Sequence, residues 1–277
     1  MPGRVVPVEI PLITPYLPRY SEETEDSLRA LVSGDVSAVF GGSTPYLRAD
    51  EEWPRCKQCQ HTLIPYIQIN LSSDKTPLAF RERVPPLQRD GATLFQLFIC
   101  AAESDLGDTC FEHWVVQYSD EHVNDSWLIR RIHVDGGASG LASPEAEQEA
   151  HDAARSALED EDLLLPERVI LEWTAGTPET AHWEEGSGDF DDEYYAAHEP
   201  AQGLKLLGYP ERGKFYCTST DSGECTAGDA GPHCDWRCLI QLGTQDEDNS
   251  FYTIGNMYVD QCTLHPEVFQ AVSSGTW

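Results

Sequence analysis

The stretch LIPYIQIN, residues 63–70, decides the fold class, because it is rich in β-branched and aromatic side chains, namely Ile64, Tyr66, Ile67 and Ile69. Such side chains favour extended strands over helices. Four more runs of this kind lie in the first half of the chain, at 36–40, 94–101, 113–118 and 127–134, and turn residues separate them. We therefore predict that the first half of the chain is mainly β-sheet.

A second stretch, WRCLIQL at residues 236–242, repeats the apolar run around one glutamine that occurs at Gln68. In both places a turn containing glycine and proline comes earlier in the chain, FGGSTP at 40–45 and LLGYP at 206–210. This shared order indicates either an internal duplication or a chance similarity between two units of turn and strand. A buried glutamine must be hydrogen-bonded, so we expect Gln68 and Gln241 each to fix a turn or a neighbouring strand.

The remaining predicted elements are short. A helix is expected to begin after an N-cap at Ser21 and to end at Gly34. In the last third, strands are predicted at 251–254 and 257–259, and a short helix is predicted to begin at 266–270. The whole chain is therefore expected to have an α+β, mainly β fold.

The composition changes at residues 143–200, where 18 Asp and Glu residues stand against two arginines. An N-cap serine, a proline and a glutamate open this region, and they predict an Ala-rich helix over 143–158. Residues 169–173 are a strand candidate, and residues 177–200 are predicted to be a solvated loop. This charge either aids solubility or docks a basic partner. The candidate partner-binding residues are Glu184, Glu185, Asp189, Asp191, Asp192 and Glu193.

The chain has 277 residues, 48 acidic and 18 basic side chains, and a formal net charge of −30. Nucleic acids and anionic membranes are unfavourable ligands for such a surface, because binding to phosphate depends on Lys and Arg. A cation is favoured, for example a basic protein segment. No stretch approaches the roughly 20 apolar residues that span a bilayer, and prolines interrupt the apolar residues at the N-terminus. We therefore expect a cytoplasmic protein.

Nine cysteines occur in the chain, and four in the first half have a spacing that suits a metal. The sequence Cys56-Lys57-Gln58-Cys59 presents two thiolates from one turn, and Cys100 and Cys110 supply two more. Four such ligands would hold a structural zinc, with His61 or His113 able to replace one of them. A redox Cys-x-x-Cys pair and buried thiols are the alternatives.

The second half holds another group of cysteines, with His233 beside them. Their spacings fit no common zinc pattern well, so a metal site, a disulfide and buried thiols all stay open. The members of this second cysteine cluster are Cys217, Cys225, Cys234 and Cys238. Cys262 is expected to be packed as a small apolar residue.

An ordered series of short motifs runs from about residue 36 to 272. It resembles the YwqG-like family of uncharacterised proteins, which is distantly similar to programmed cell death protein 2 and its relatives. The matching motifs are Gly41-Gly42-x-x-Pro45, Trp53-Pro54-x-Cys56-x-x-Cys59, Ile67-Gln68, Phe98-x-Cys100, Leu207-Gly208-Tyr209-Pro210, Cys238-Leu239-Ile240-Gln241 and Gly255-Asn256-Met257-Tyr258.

The resemblance implies a duplicated α+β fold and no established enzymatic activity. Relatives around programmed cell death protein 2 act as dedicated chaperones of a basic ribosomal protein, and bacterial members have been associated with toxin neutralisation. The acidic middle and the extra cysteines after Tyr216 depart from the pattern. We expect two pseudo-repeated sheet lobes packed as one body, 1–142 and 201–277, bridged by the acidic helix and loop region 143–200.

Catalytic motifs are missing from the sequence. There is no nucleophile elbow, phosphate-binding glycine loop, dinucleotide fingerprint or His-Glu-x-x-His motif, and 48 carboxylates make any chosen catalytic pair uninformative. We therefore expect non-catalytic, chaperone-like or neutralising recognition of a basic protein. A small-ligand or carbohydrate-binding module that uses exposed aromatic residues is the alternative, and an enzyme of unknown class is the third.

Overall fold

The computed structural model describes residues 12–21, 26–42, 45–48, 51–57, 59–87, 90–100, 116–118, 127–134, 167–179, 198, 200–210, 236–242 and 256–274. Within these residues there are two short helices, α1 (Ser27–Ser33) and α2 (Leu78–Arg83). The strands are β1 (Tyr16–Tyr20), β2 (Ala38–Phe40), β3 (Ile64–Asn70), β4 (Ala92–Ile99), β5 (Val116–Tyr118), β6 (Trp127–Val134), β7 (Arg168–Ala175), β8 (Lys205–Leu206), β9 (Trp236–Leu242), β10 (Asn256–Cys262) and β11 (Phe269–Ser274). The predicted mainly β fold is confirmed.

One antiparallel sheet contains all of these strands, in the order β5, β11, β10, β9, β8, β1, β7, β2, β3, β4, β6. The centre of the sheet is the pairing of β1 with β7, in which Tyr16 is opposite Ala175. Strand β7 therefore comes from the acidic region and lies between strands of the first half. The predicted strand at 169–173 is confirmed as part of β7, but the predicted helix over 143–158 and strand at 251–254 lie outside the described residues.

The two ends of the sheet approach each other, because the sheet curls around one apolar core. The rings of Phe95 on β4 and Phe269 on β11 are 5.7 Å apart, although eight positions in the sheet order separate these strands. Phe80 of α2 also packs edge-on against Phe95. Residues from both halves of the chain thus share one buried cluster.

Two predicted helices differ from the structure. Helix α1 begins at Ser27, and the backbone N–H of Ser21 instead donates to Val169 O at 2.8 Å, so Ser21 prolongs the pairing of β1 and is not an N-cap. Gly34 ends α1 as predicted, with a φ of +85°. The predicted helix at 266–270 is wrong, because Phe269 begins strand β11 and pairs with β10.

The pairing of β3 with β4 and the pairing of β9 with β10 have the same pattern of register. Gln68 is opposite Gln96 and Gln241 is opposite Tyr258. In both pairs of strands one more regular pair follows, Ile67 with Leu97 and Ile240 with Val259, and the register then shifts by one residue. In each half, a backbone hydrogen bond also ties the preceding turn to the strand that carries the glutamine. The N–H of Gly41 donates to Tyr66 O, and the N–H of Leu207 donates to Leu239 O, both at 2.8 Å.

In the described part of the chain, neither helix has the length or the apolar composition that crossing a bilayer requires.

Candidate metal centre

A tight hairpin turn holds the first two cysteines of the predicted metal site. The N–H of Cys56 donates to His61 O at 2.8 Å, and the N–H of Gln60 donates back to Cys56 O at 2.9 Å. Gln60 has a φ of +63°, a left-handed conformation that turns the chain back immediately after Cys59. The turn therefore presents both side chains of the Cys-x-x-Cys sequence from one short loop.

The third cysteine reaches the turn from the neighbouring strand. Cys100 directly follows β4, and β4 pairs with β3, which begins shortly after the hairpin turn. The Nε1–H of Trp53 donates to Leu63 O at 2.7 Å and so ties the segment before the turn to the start of β3. The sheet register therefore places the end of β4 beside the turn.

The ligand atoms of Cys56, Cys59 and Cys100 all lie within 4.8 Å of one another, so these three cysteines could hold a metal ion. The Sγ atoms of Cys59 and Cys100 are 3.4 Å apart. Two thiolates on one tetrahedral zinc, each about 2.3 Å from the ion, are separated by roughly 3.8 Å. The observed separation of these two sulfur atoms is slightly shorter than that value.

The environment of the three cysteines is apolar and mostly enclosed. Cys56 and Cys100 have 0% exposed surface, and Leu63, Phe98 and Leu128 complete the buried cluster around them. Cys59 is partly exposed, so among the described residues the site is mostly, but not fully, enclosed. The arrangement therefore suits a structural ion better than a catalytic one.

Of the other predicted ligands of this site, the structure describes only His61. Cys110 and His113 lie outside the described residues. His61 is exposed, and its backbone carbonyl fixes the turn as described above. Three of the four predicted cysteine ligands are therefore brought together.

Only one member of the second cysteine cluster is described, since Cys217, Cys225 and Cys234 lie outside the described residues. Cys238 is buried on β9, opposite Asp260. Burial raises the pKa of the Cys238 thiol, and the charge of Asp260 raises it further, against an opposing effect of Lys205. Burial therefore favours the neutral form of this thiol.

A buried ion pair between Glu179 and Lys205 was not predicted from the sequence. The carboxylate of Glu179 accepts hydrogen bonds from Lys205 Nζ at 2.8 Å and from the backbone N–H groups of Ala201 and Tyr209 at 2.6 and 2.7 Å. Lys205 lies on β8, and Glu179 follows β7. The pair thus joins the segments on either side of β1. The sequence around Glu179 and Lys205 does not distinguish them from the many other charged residues.

A second polar network lies on the first half of the sheet. Gln96 donates to the side-chain oxygen of Gln68 at 2.8 Å and accepts from Arg130 Nε at 2.7 Å, and Arg130 is also paired with Glu51. Burial lowers the pKa of Arg130, while Glu51 opposes that shift. The backbone N–H of Tyr46 donates to Gln68. The prediction that Gln68 fixes a turn is confirmed.

The six predicted partner-binding carboxylates, Glu184, Glu185, Asp189, Asp191, Asp192 and Glu193, lie outside the described residues.

A model of the family described as "Domain of unknown function (DUF1963)" matches residues 39–272, which is most of the chain. The resemblance noted from the sequence is compatible with this family. No curated protein matches the sequence.

Proposed function

The chain belongs to the DUF1963 family, and we propose that it is a non-catalytic binding protein for a basic protein partner, stabilised by a structural zinc. The observation that carries the zinc is the mostly enclosed cluster of Cys56, Cys59 and Cys100 at the junction of the hairpin turn with β4. The net charge of −30 supports the proposal that the partner is basic. The family resemblance adds chaperone-like or neutralising roles as the expected context.

The proposed zinc has Cys110 as its fourth ligand. Three thiolates leave one tetrahedral position, and Cys110 follows Cys100 by ten positions in the sequence. The ion would link the hairpin turn to the end of β4, across a sequence separation of about forty residues. Because the unfolded chain lacks this site, the free energy of metal binding would add to the stability of the fold.

The described cysteines also bear on the compartment. Cys56, Cys59, Cys100, Cys238 and Cys262 form no disulfide with one another. Thiols persist in reducing compartments, whereas secreted proteins of this size commonly oxidise them. We therefore propose the cytoplasm as the compartment, because clustered cysteines in a reducing environment are available as thiolates for a metal.

We also propose that the two halves of the sheet arose by duplication. The equivalent positions of Gln68 and Gln241, the register shifts beside them and the left-handed residues before them support this proposal. In that arrangement β2, β3, β4 and β6 correspond to β8, β9, β10 and β11. The halves then share the central pair β1 and β7 and pack as one body.

The partner proposal depends on charge for the rate of encounter and on apolar contacts for specificity. Of the net charge, 16 negative units come from residues 143–200. Because the Debye length is about 8 Å at physiological salt, capture by charge alone weakens as salt is added. A specific partner would stay bound at moderate salt and would associate more slowly when the acidic region is neutralised.

The experiment compares three full-length proteins in salt-dependent pull-downs, followed by association-rate measurements on each basic protein recovered. One is the natural chain, and the second carries Gln or Asn at Glu184, Glu185, Asp189, Asp191, Asp192 and Glu193. The third is a control with the same charge change at six exposed acids elsewhere, Asp35, Glu52, Asp74, Glu82, Asp90 and Glu267. We expect slower association for the second protein only.

Equal association rates for the three proteins would contradict a specific role of the acidic region. Recovery of no basic protein at any salt concentration would contradict the partner proposal itself. In that case a glycan array would test the alternative, a carbohydrate-binding module.

A further inference from the structure

The three cysteines of the candidate metal centre differ in how they meet solvent. Cys59 is partly exposed, whereas Cys56 and Cys100 have 0% exposed surface. Two other residues of the hairpin turn, Lys57 and Gln60, are exposed, so the turn carries Cys59 to the protein surface. A small oxidant in solution therefore reaches Cys59 before it reaches either of the buried thiols.

The sulfur atom of Cys59 has a buried sulfur beside it. Its Sγ lies 3.4 Å from Sγ of Cys100, a contact distance at which no third atom separates the two. The S–S bond of a disulfide is about 2.05 Å long, so the two atoms are neighbours that are not bonded. An accessible thiol with a second thiol in contact is typical of redox-sensing cysteines, in which the second acts as the resolving cysteine.

The spacing in the sequence suggests a different redox pair, Cys56 with Cys59. A Cys-x-x-Cys pair that acts in redox chemistry is expected at the start of a helix, because a helix N-terminus favours the thiolate. Here the pair lies in a hairpin turn, and the element that follows is strand β3, which begins at Ile64. The structure thus favours the pair of Cys59 with Cys100, which joins the turn to the end of β4.

We propose that Cys59 and Cys100 are a peroxide-sensitive pair, which forms a reversible disulfide in place of the zinc at the same site. This inference deepens the proposed function and rests on it, because the ion that the disulfide displaces is the proposed structural zinc. The thiolate is the metal ligand, so oxidation removes two of the three described ligands. The new bond closes a loop of about forty residues and so holds the hairpin turn against β4 without the metal.

The oxidation takes two steps, and hydrogen peroxide is the oxidant. The thiolate sulfur of Cys59 attacks one peroxide oxygen, the O–O bond breaks, hydroxide leaves and Cys59 becomes a sulfenic acid. The thiolate sulfur of Cys100 then attacks the sulfur of that sulfenic acid, the S–O bond breaks, the S–S bond forms and a second hydroxide leaves. Two thiolates and one peroxide thus give one disulfide and two hydroxide ions, and the peroxide gains the two electrons that the sulfur atoms lose.

The test treats the full-length protein, purified without chelator, with hydrogen peroxide in small steps. A chromogenic chelator measures the zinc that is released, and peptide mapping under non-reducing conditions identifies each disulfide. We expect one equivalent of zinc to be released for each equivalent of disulfide between Cys59 and Cys100. Dithiothreitol followed by added zinc should restore both the thiols and the bound metal.

Two variants separate the two chemical steps. In C100S the second step is blocked, so Cys59 should accumulate as the sulfenic acid and react with dimedone, whereas the natural protein should carry little of this label. C238S is the matched control, a buried cysteine on β9, and its disulfide and zinc release should equal those of the natural protein. If C100S does not fold, the disulfide map of the natural protein decides the pair by itself.

Zinc that stays bound while no disulfide forms between Cys59 and Cys100 would overturn the inference and leave the proposed zinc intact. A disulfide between Cys56 and Cys59 in place of the expected one would also overturn it. A natural protein that holds no zinc would overturn the proposed zinc and its displacement. In that sample the disulfide map still decides, separately, whether Cys59 and Cys100 are the oxidised pair.

Discussion

Lys205 Nζ lies 2.8 Å from both carboxylate oxygens of Glu179, and neither side chain is more than 1% exposed. The two residues come from either side of β1, where the halves of the sheet meet. The carboxylate also accepts two backbone N–H groups, so the buried charge is fully hydrogen-bonded. Such a pair specifies how β8 sits against the sheet, although an apolar pair could be equally stable.

K205M should lower the free energy of unfolding by about 3–5 kcal/mol, because it leaves the Glu179 carboxylate buried without its counter-ion. The measurement is chemical denaturation at neutral pH. The matched control is R19M, which breaks the exposed pair of Arg19 with Glu172, and it should cost less than about 1 kcal/mol. Similar losses in both variants would show that the buried pair has no special role.

Gly208 is expected to tolerate no side chain, whereas Gly203 should tolerate one with moderate strain. Both have a positive φ, +84° and +78°. A Cβ at Gly208 would lie 2.3 Å from Glu179 Oε2, but a Cβ at Gly203 would meet nothing within 4 Å. G203A should therefore cost about 1–2 kcal/mol, from left-handed strain alone. Thermal unfolding should show a clearly larger loss for G208A, and equal losses would contradict the close approach.

Glu167 should make stability depend on pH. Burial raises the pKa of its carboxyl, against an opposing hydrogen bond from Ser27. The folded state therefore binds this proton more tightly than the unfolded state. The resulting stabilisation is complete at pH values below the pKa of Glu167 in the unfolded chain. It is lost as the pH rises through the pKa of Glu167 in the folded protein. E167Q should thus be more stable than the natural protein at pH 7, and the two should converge in acid.

Denaturation curves at several pH values measure the effect of E167Q. E172Q is a suitable control, since Glu172 is about half exposed and lies on β7, the strand that follows Glu167. A stability difference between E167Q and the natural protein that stays constant across the pH series would contradict the prediction.

Cys238 should resist alkylation in the folded protein. Its neutral, buried thiol is a weak nucleophile, because the thiolate is the reactive form. Cys59 is half-buried, so in protein treated with a chelator it should be modified by iodoacetamide before Cys238. Peptide mapping by mass spectrometry gives the order of modification. Modification of Cys238 before Cys59 would contradict the buried position of the Cys238 side chain.

The strands were predictable where a local pattern suffices. The runs at 63–70, 127–134 and 236–242 match β3, β6 and β9 within one residue, because apolar side chains, some of them β-branched or aromatic, predominate in each run. The role of Gln68 and Gln241 in fixing turns was also predictable, because a buried amide needs hydrogen-bond partners. Gln241 donates to Ala201 O and Gly203 O at 3.0 Å, as expected for a residue that fixes a turn.

The errors come from interactions between distant parts of the chain. Proline and glutamate at 266–267 suit the start of a helix, but pairing of β11 with β10 outweighs that local preference. Ser21 has the chemistry of an N-cap, yet its N–H pairs with a residue almost 150 positions later. The Glu179 and Lys205 pair depends on the same kind of long-range contact, which no local window contains.

Zinc K-edge X-ray absorption on the full-length protein tests the central claim most directly, namely that cysteine thiolates hold structural zinc. We predict sulfur scatterers at about 2.3 Å from the ion, with fewer of them per chain in C59S and the same number in C238S. Loss of zinc from the natural protein during purification, or a zinc environment of oxygen and nitrogen alone, would contradict the claim.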